Sequence, residues 1–490
     1  MLLASVGVMA QVDQSAYDKM KQRMQQQYNQ SVGQMKQDYD ARRQKAEAEY
    51  TAFRKKANEE YAAFMKRAWE RMDIHPAEAK PKEPEPPKPQ PKPEPDRVPP
   101  TKPLPKPEVV VTPEKVTPPP MPAVPQAPPE TPTMQFTLYG IECQVHAQVN
   151  EMSFKLSSVD EKSVAETWEL LSKTDYDGLL HDCLAQRDAL NLGDWGYLGL
   201  LRSASERLQG KGTNEAVLLQ MYLFVQSGYK ARIGNHNGHL VMMVPFDCMI
   251  YGYPYTTIEG VKFYILSKPQ KGDTFHVCNV GFPKEQMANI DMRGLPLLKG
   301  QATAKRTFSA KRFGTMSVSL SVDKALVDFM NDYPLSSAWD SYSRTGLSDR
   351  VKEALYPMLR EQLKGKSQRK AATMLLDFVQ TAFDYATDQE QFGYERPLFG
   401  DESFYYPKND CEDRSILFSI LVRDLMGLDV ILLDYPNHIA TAVCFTEAVE
   451  GDYLTVDGKR YTVCDPTYIG AGPGESMPQF KEVSAKVVKI

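Results

Sequence analysis

Between Pro76 and Pro132 the chain carries 23 of its 36 prolines, and no stretch so interrupted can build a packed core, because each proline fixes φ and removes a backbone donor. Lys-Pro and Glu-Pro alternate there, as in Pro84-Glu85-Pro86-Pro87-Lys88-Pro89. Residues 75–133 therefore read as a polyproline-II-like, disordered linker, at ~3.1 Å per residue reaching on the order of 150 Å when extended. A PxxP docking site is the sharper alternative to a plain spacer. The linker splits the 490 residues into an N-terminal piece and about 360 residues of ordinary apolar content, which suits two domains of typical size.

The N-terminal piece has two parts. Residues 1–10, Met1-Leu2-Leu3-Ala4-Ser5-Val6-Gly7-Val8-Met9-Ala10, read as the end of a secretory signal peptide, with small residues at Val8 and Ala10 ahead of Gln11 and no basic residue before Lys19. Residues 11–74 read as a coiled-coil helix, with the repeat itself over 12–72. Tyr17, Tyr28, Tyr39, Tyr50 and Tyr61 recur every 11 residues, and Met24, Met35, Ala46, Ala57 and Ala68 follow in step. An 11-residue period gives ~3.67 residues per turn, so the apolar stripe runs nearly straight. That stripe predicts a homo-oligomer formed through residues 12–72, with packing onto the globular part as the alternative.

The chemistry concentrates near the C-terminus. Cys411 stands in Asn409-Asp410-Cys411-Glu412-Asp413-Arg414, and His438 and Asp465 follow at equal steps of 27 residues. Asn409 or Asp410 can cap a helix whose apolar face is Ile416, Leu417, Ile420, Leu421 and Leu425 and whose stop is Gly427. A thiol at a helix N-terminus feels the positive end of the dipole, which favours thiolate. His438 opens the strand-like run to Phe445, and Asp465 closes Tyr461-Thr462-Val463-Cys464-Asp465 after an Asp457-Gly458 turn. Nucleophile, base and orienting acid would meet where a helix end faces two strand ends. The acids beside Cys411 argue against a core cysteine, since ionised carboxylates are rarely buried unpaired. Cys444 and Cys464 lie among apolar neighbours and read as packing residues.

The same unit is present twice. With residues 212–241 laid on 411–440, Val217 meets Ile416, Leu218 meets Leu417, Gly228 meets Gly427 and His239 meets His438. In that frame Gly212 replaces the cysteine and Ser267 stands for Asp465, so the first copy reads as inactive. Upstream, Phe154–Asp160 resembles Val318–Asp323, which would extend the repeat. The second copy is longer before Cys411, and its extra Gln389–Pro407 segment is a natural place for substrate contacts. Gln391 and Tyr406 of that segment are candidate oxyanion donors, beside the backbone amide of Cys411.

Asp-Cys-Glu-Asp at a helix start, Asn437-His438 at a strand start and Cys464-Asp465-Pro466-Thr467-Tyr468 resemble the transglutaminase-like superfamily, and within it the bacterial envelope cysteine peptidases. The likeness covers roughly residues 375–478. It implies an α+β fold: two transglutaminase-like domains with papain-like cores, 134–300 degenerate and 301–490 active. It also implies a Cys411 nucleophile, a His438 base and an Asp465 orienter, acting on a protein or peptide substrate by hydrolysis or transfer to an amine. No cofactor is required by that chemistry. Some relatives hold calcium on the acids flanking the nucleophile, here Asp410 and Glu412.

Other classes are excluded or open. A formal charge of -5 spread along the chain and the lack of any phosphate-loop or nucleic-acid motif argue against a polyanion partner. No apolar run reaches the ~20 residues of a transmembrane helix. A periplasmic or secreted location follows from the leader reading. Seven cysteines permit three pairs plus a free Cys411, without fixing any pairing. The rival reading is a non-catalytic envelope scaffold: a multimerising helix, a proline arm and paired binding domains.

Overall fold

The computed structural model describes residues 14–79, 91, 101–109, 133–266, 275–292, 294–336 and 340–490. The expected signal peptide, residue 267 and most of the proline-rich run lie outside these. The chain is mixed α+β and divides into two units, residues 1–60 and Tyr61–Ile490.

The first unit is helical, part of a helix that runs Gln14–Met65. Met24, Met35 and Tyr39 of the 11-residue stripe stand exposed on it. Lys45 and Lys56 pair with Glu49 and Glu60 one turn on, contacts that add only a few tenths of a kcal/mol each. The helix ends short of the expected residue 74. The indole of Trp69 donates to the Met65 carbonyl at 3.0 Å, which satisfies an open helix end. Tyr61, the last tyrosine of the repeat, belongs to the second unit, buried against Trp168 and Phe282 with ring centroids 4.8 and 5.6 Å away.

The second unit is built on two six-stranded sheets, each curled into a half-barrel. Two short strands come first: β1 (Glu70–Arg71) and β2 (Glu108–Val109). A hairpin of β3 (Thr133–Leu138) and β4 (Ile141–His146) leads into helices Glu161–Lys173, Asp177–Ala189, Gly193–Gln209 and Asn214–Gln226. Strands β5 (Arg232–His236), β6 (His239–Val244), β7 (Tyr255–Ile258), β8 (Val261–Ile265) and β9 (Phe275–Cys278) follow. The pattern then recurs. A hairpin of β10 (Arg306–Ser309) and β11 (Ser317–Leu320) precedes helices that include Asp349–Leu363, Gln368–Thr381 and Cys411–Met426. After them come β12 (Val430–Tyr435), β13 (His438–Val443), β14 (Tyr453–Val456), β15 (Lys459–Cys464) and β16 (Lys486–Lys489).

The strand orders are β7-β8-β6-β5-β9-β1 and β14-β15-β13-β12-β16-β2, one order in both sheets, with the sixth strand antiparallel to its neighbour as β1 and parallel as β2. Register in the shared hairpins agrees with a shift of 199 residues for β5–β6 and 198 for β7–β8. His236 faces His239 in the first sheet and Tyr435 faces His438 in the second, related by the 199-residue shift of the sequence alignment. Tyr255 pairs with Tyr264 as Tyr453 pairs with Thr462. The β7–β8 and β14–β15 turns both use two left-handed residues, Glu259-Gly260 and Asp457-Gly458, as a two-residue hairpin of this twist requires.

The N-terminal segment completes both sheets. β1 pairs with β9 at one edge of the first sheet, and His75 bridges Tyr255 at the other. β2 pairs with β16 at one edge of the second sheet, and Pro103 bridges Tyr453 at the other. Both edges of each curled sheet thus end on the same short stretch of chain, which covers backbone groups that would otherwise stay open to pairing. Leu104 enters the second core beside Tyr435, Tyr468 and Phe480, and Met72 and Ile74 pack on the first. The described parts of the expected spacer are therefore structural.

The upstream extension of the repeat is corrected. Val318–Leu320 is strand, whereas Phe154–Ser158 has no regular structure and leads to Asp160, whose carboxylate caps the next helix through the Ser163 amide. The counterpart of the β10–β11 hairpin is β3–β4. Alternating apolar residues ending at an aspartate before a helix made the two segments look alike. No helix is long and apolar enough to cross a membrane among the described residues, and no disulfide joins any of the seven cysteines among them.

Candidate active site

Cys411 is the first residue of its helix and Asp410 the N-cap, with the Asp410 amide donating to Asp413 Oδ2 at 3.2 Å. The helix packs on β12 and β13, and Ser415 Oγ donates to the Ile439 carbonyl at 2.9 Å. This brings the helix start to the first residues of β13. His438 opens that strand, and its Nε2 lies 2.9 Å from Asp465 Oδ2. Asp465 follows β15, and its other oxygen accepts from the amides of Thr467 and Tyr468 at 2.9 and 3.2 Å. A carboxylate can only accept, so Nε2 donates to it, and in the neutral ring Nδ1 then carries the lone pair. His438 Nδ1 is buried and has no hydrogen-bond partner among the described residues.

Several site residues gave no sign in the sequence. Phe480 stacks on the His438 ring with centroids 4.9 Å apart and planes 13° from parallel. Gln380, from helix Gln368–Thr381, donates to the carbonyls of Asp465, Tyr468 and Ala471 and accepts from the Gly470 amide, clamping the turn that carries Asp465. Arg414 is buried and holds the Gln380 and Phe383 carbonyls at 3.3 and 3.0 Å. Each lies far from the triad in sequence or within a common helical pattern, so spacing could not mark it.

The acids depart from expectation. Asp410, Glu412, Asp413 and Asp388 are all buried, and Asp388, Asp410 and Glu412 can present oxygens within 4.8 Å of one another. Asp410 Oδ1 and Glu412 Oε1 lack hydrogen-bond partners among the described residues. Burial, then the charges of Glu412 and Asp413, push the Asp388 carboxyl up to about 10. The Cys411 thiol is 3% exposed and donates to Glu412 Oε2 at 3.3 Å. Burial first, then Glu412 and Asp410, push its pKa well above the ordinary thiol value, against the backbone bond from Ile439 that lowers it. The helix N-terminus alone does not make this thiol a thiolate. Unsatisfied oxygens, clustered carboxylates and a hard-oxygen donor set together suit a divalent cation such as calcium.

The two oxyanion candidates are not free. Gln391 gives its amide to the Lys408 carbonyl at 3.1 Å. Tyr406 donates to Asn331 Oδ1 at 2.8 Å and lies against Arg396.

Among the described residues the first sheet has no thiol at the position of Cys411. Helix Asn214–Gln226 starts two residues later in the common frame, with Thr213 as N-cap. Gly212 sits ahead of it in a left-handed turn, φ 71°, so it occupies no helix-start position as Cys411 does. Asn214 instead ties the helix to β6, accepting from the Leu240 amide at 2.8 Å. His239 is exposed where His438 is buried. Residue 267, the expected counterpart of Asp465, lies outside the described residues. Comparison with protein-family models, curated proteins and solved structures returns no match.

Proposed function

We propose that the second sheet carries a thiol acyl-transfer site of the transglutaminase-like kind, in which Cys411 attacks a peptide or amide carbonyl, His438 is the base and Asp465 orients it. The observation that carries this reading is the placement of the His438 ring: Nε2 2.9 Å from Asp465 Oδ2, and Nδ1 buried with no hydrogen-bond partner among the described residues. His438 Nδ1 takes the thiol proton, and the C–S bond forms as the carbonyl electron pair moves to oxygen. Collapse of the adduct expels the amine, which takes the proton back from Nδ1. Water, or a second amine, then attacks the thioester with His438 again as base. Phe480 covers one face of the ring and shields the His438–Asp465 bond from solvent.

Asp388, Asp410 and Glu412 would hold calcium. With it bound, the negative charge that opposes ionisation of Cys411 is cancelled. In this reading the protein would be an oligomer of the periplasm or cell surface acting on envelope proteins or peptides.

Alkylation of the full chain by iodoacetamide near neutral pH tests the reading. Preferential modification of Cys411, faster with calcium than with chelator, supports it. Labelling of the half-buried Cys248 and Cys444 with Cys411 inert in both would leave the scaffold reading, which the burial of the Cys411 thiol favours. Incubation of wild type and Cys411→Ala with envelope extract then identifies fragments that only the wild type makes.

A further inference from the structure

The triad accounts for the nucleophile and its base, but Gln391 Nε2 and the Tyr406 hydroxyl are already engaged, by the Lys408 carbonyl and Asn331 Oδ1. The segment Phe383–Tyr385 lies beside the nucleophile. Asp384 bridges Lys408 in parallel, and the Asn409 amide donates to the Asp384 carbonyl at 3.0 Å. Arg414, three residues beyond Cys411 and so on the same side of its helix, donates to the Phe383 carbonyl and lies over the Tyr385 ring, 5.2 Å from its centroid. Tyr385 is thereby held next to the start of the Cys411 helix. Its hydroxyl oxygen is buried and has no hydrogen-bond partner among the described residues.

From this placement we propose that the Tyr385 hydroxyl is the side-chain donor of the oxyanion hole, hydrogen-bonding the carbonyl oxygen of the acyl group that Cys411 attacks. The inference rests on the thiol acyl-transfer reading above and adds to it a residue and a role.

A further observation agrees. The segment has no counterpart in the first copy, where helix Gly193–Gln209 passes to helix Asn214–Gln226 through Gly210–Thr213 alone. The donor is present only where the thiol is. In the step itself the Cys411 sulfur bonds to the carbonyl carbon and the π pair moves to oxygen, where it accepts the Tyr385 hydrogen bond without taking the proton. When the C=O re-forms, the leaving group departs with its electron pair.

Two reagents separate this role from support of the thiol. p-Nitrophenyl acetate acylates a cysteine through a tetrahedral oxyanion and expels p-nitrophenolate; iodoacetamide alkylates the same sulfur by displacing iodide at carbon, with no oxyanion. With the full chain and calcium present, Tyr385→Phe is expected to alkylate at Cys411 at the wild-type rate and to acylate about 10²–10³-fold more slowly. The phenyl ring keeps the packing, and loss of a buried unpaired hydroxyl should not unfold the protein, so a wild-type alkylation rate also certifies the fold. Unchanged acylation overturns the proposal, and so does a parallel fall in both rates, which would mark Tyr385 as a support of the thiol. A wild type in which Cys411 reacts with neither reagent overturns the acyl-transfer reading itself, and this role with it.

Discussion

At the scale of single residues, the geometry of Asp465 sets a sharp expectation. One oxygen is pinned by two backbone amides and the other meets His438, so Asp465→Asn keeps the turn but offers an amide N–H to Nε2 and favours the wrong tautomer. Acylation by p-nitrophenyl acetate should fall by roughly 10³–10⁴-fold with the thermal melt unchanged; wild-type acylation would remove Asp465 from the site. Asp401 carries a second expectation, away from the triad. It is fully buried, and desolvation pushes its carboxyl up to about 6 despite bonds from the Ser348 amide and hydroxyl. The folded chain therefore keeps this proton to a higher pH than the unfolded chain, where the group releases it near ~3.9. Its contribution to stability is complete below that value and is lost as pH rises towards 6, on the order of 2–3 kcal/mol in all. Asp401→Asn should accordingly be the more stable protein at pH 7.5 and match wild type near pH 4, as read by melting at both pH values. The acids also show where sequence reasoning failed: Asp410 and Glu412 were expected in water because carboxylates are seldom buried, yet a cluster that includes Asp388, over 20 positions upstream, buries them together.

At the scale of elements, the helix start, the two strand ends and the hairpin turns were legible, since each follows from local chemistry: a cap, an alternation, a Gly in a left-handed turn. The sheets' edges were not. Proline content made residues 75–133 read as pure spacer, and nothing local distinguishes Glu108–Val109 or Leu104 from their neighbours; only the distant strands β14 and β16 give them a role. The covered edges argue that residues 134–490 alone do not suffice for folding. That fragment loses β1, β2 and the buried side chains of Tyr61, Met65, Trp69 and Leu104, whose removal at ~2–4 kcal/mol each exceeds the stability of an ordinary domain. A fragment starting at Tyr61 should melt cooperatively by circular dichroism and 134–490 should not; a cooperative melt of the shorter piece would show the strands to be dispensable.

At the scale of the whole molecule, the duplicated sheet was visible in sequence through Gly228, Gly427, His239 and His438, because a helix stop and a strand start tolerate few substitutions. The false likeness of Phe154–Asp160 to Val318–Asp323 shows how far that logic reaches: cap chemistry recurs wherever helices begin. With Cys411 in one sheet and an exposed His239 in the other, the two copies differ in labour, and His239→Ala should leave acylation of Cys411 within twofold of wild type. Loss of activity in a normally melting His239→Ala protein would mean that the copies share a site. The pairing of β2 with β16 has a kinetic side. Ser484 reaches the Lys106 carbonyl across a sequence separation of 378, among the longest loops the chain can close, and such pairings form late because their entropy is lost before any contact repays it. During synthesis the closing strand of the second sheet emerges early and waits for the rest of the chain to be made. Until β16 arrives, the segment around Leu104 is an open strand edge with apolar side chains in water, and the nascent protein is prone to aggregate.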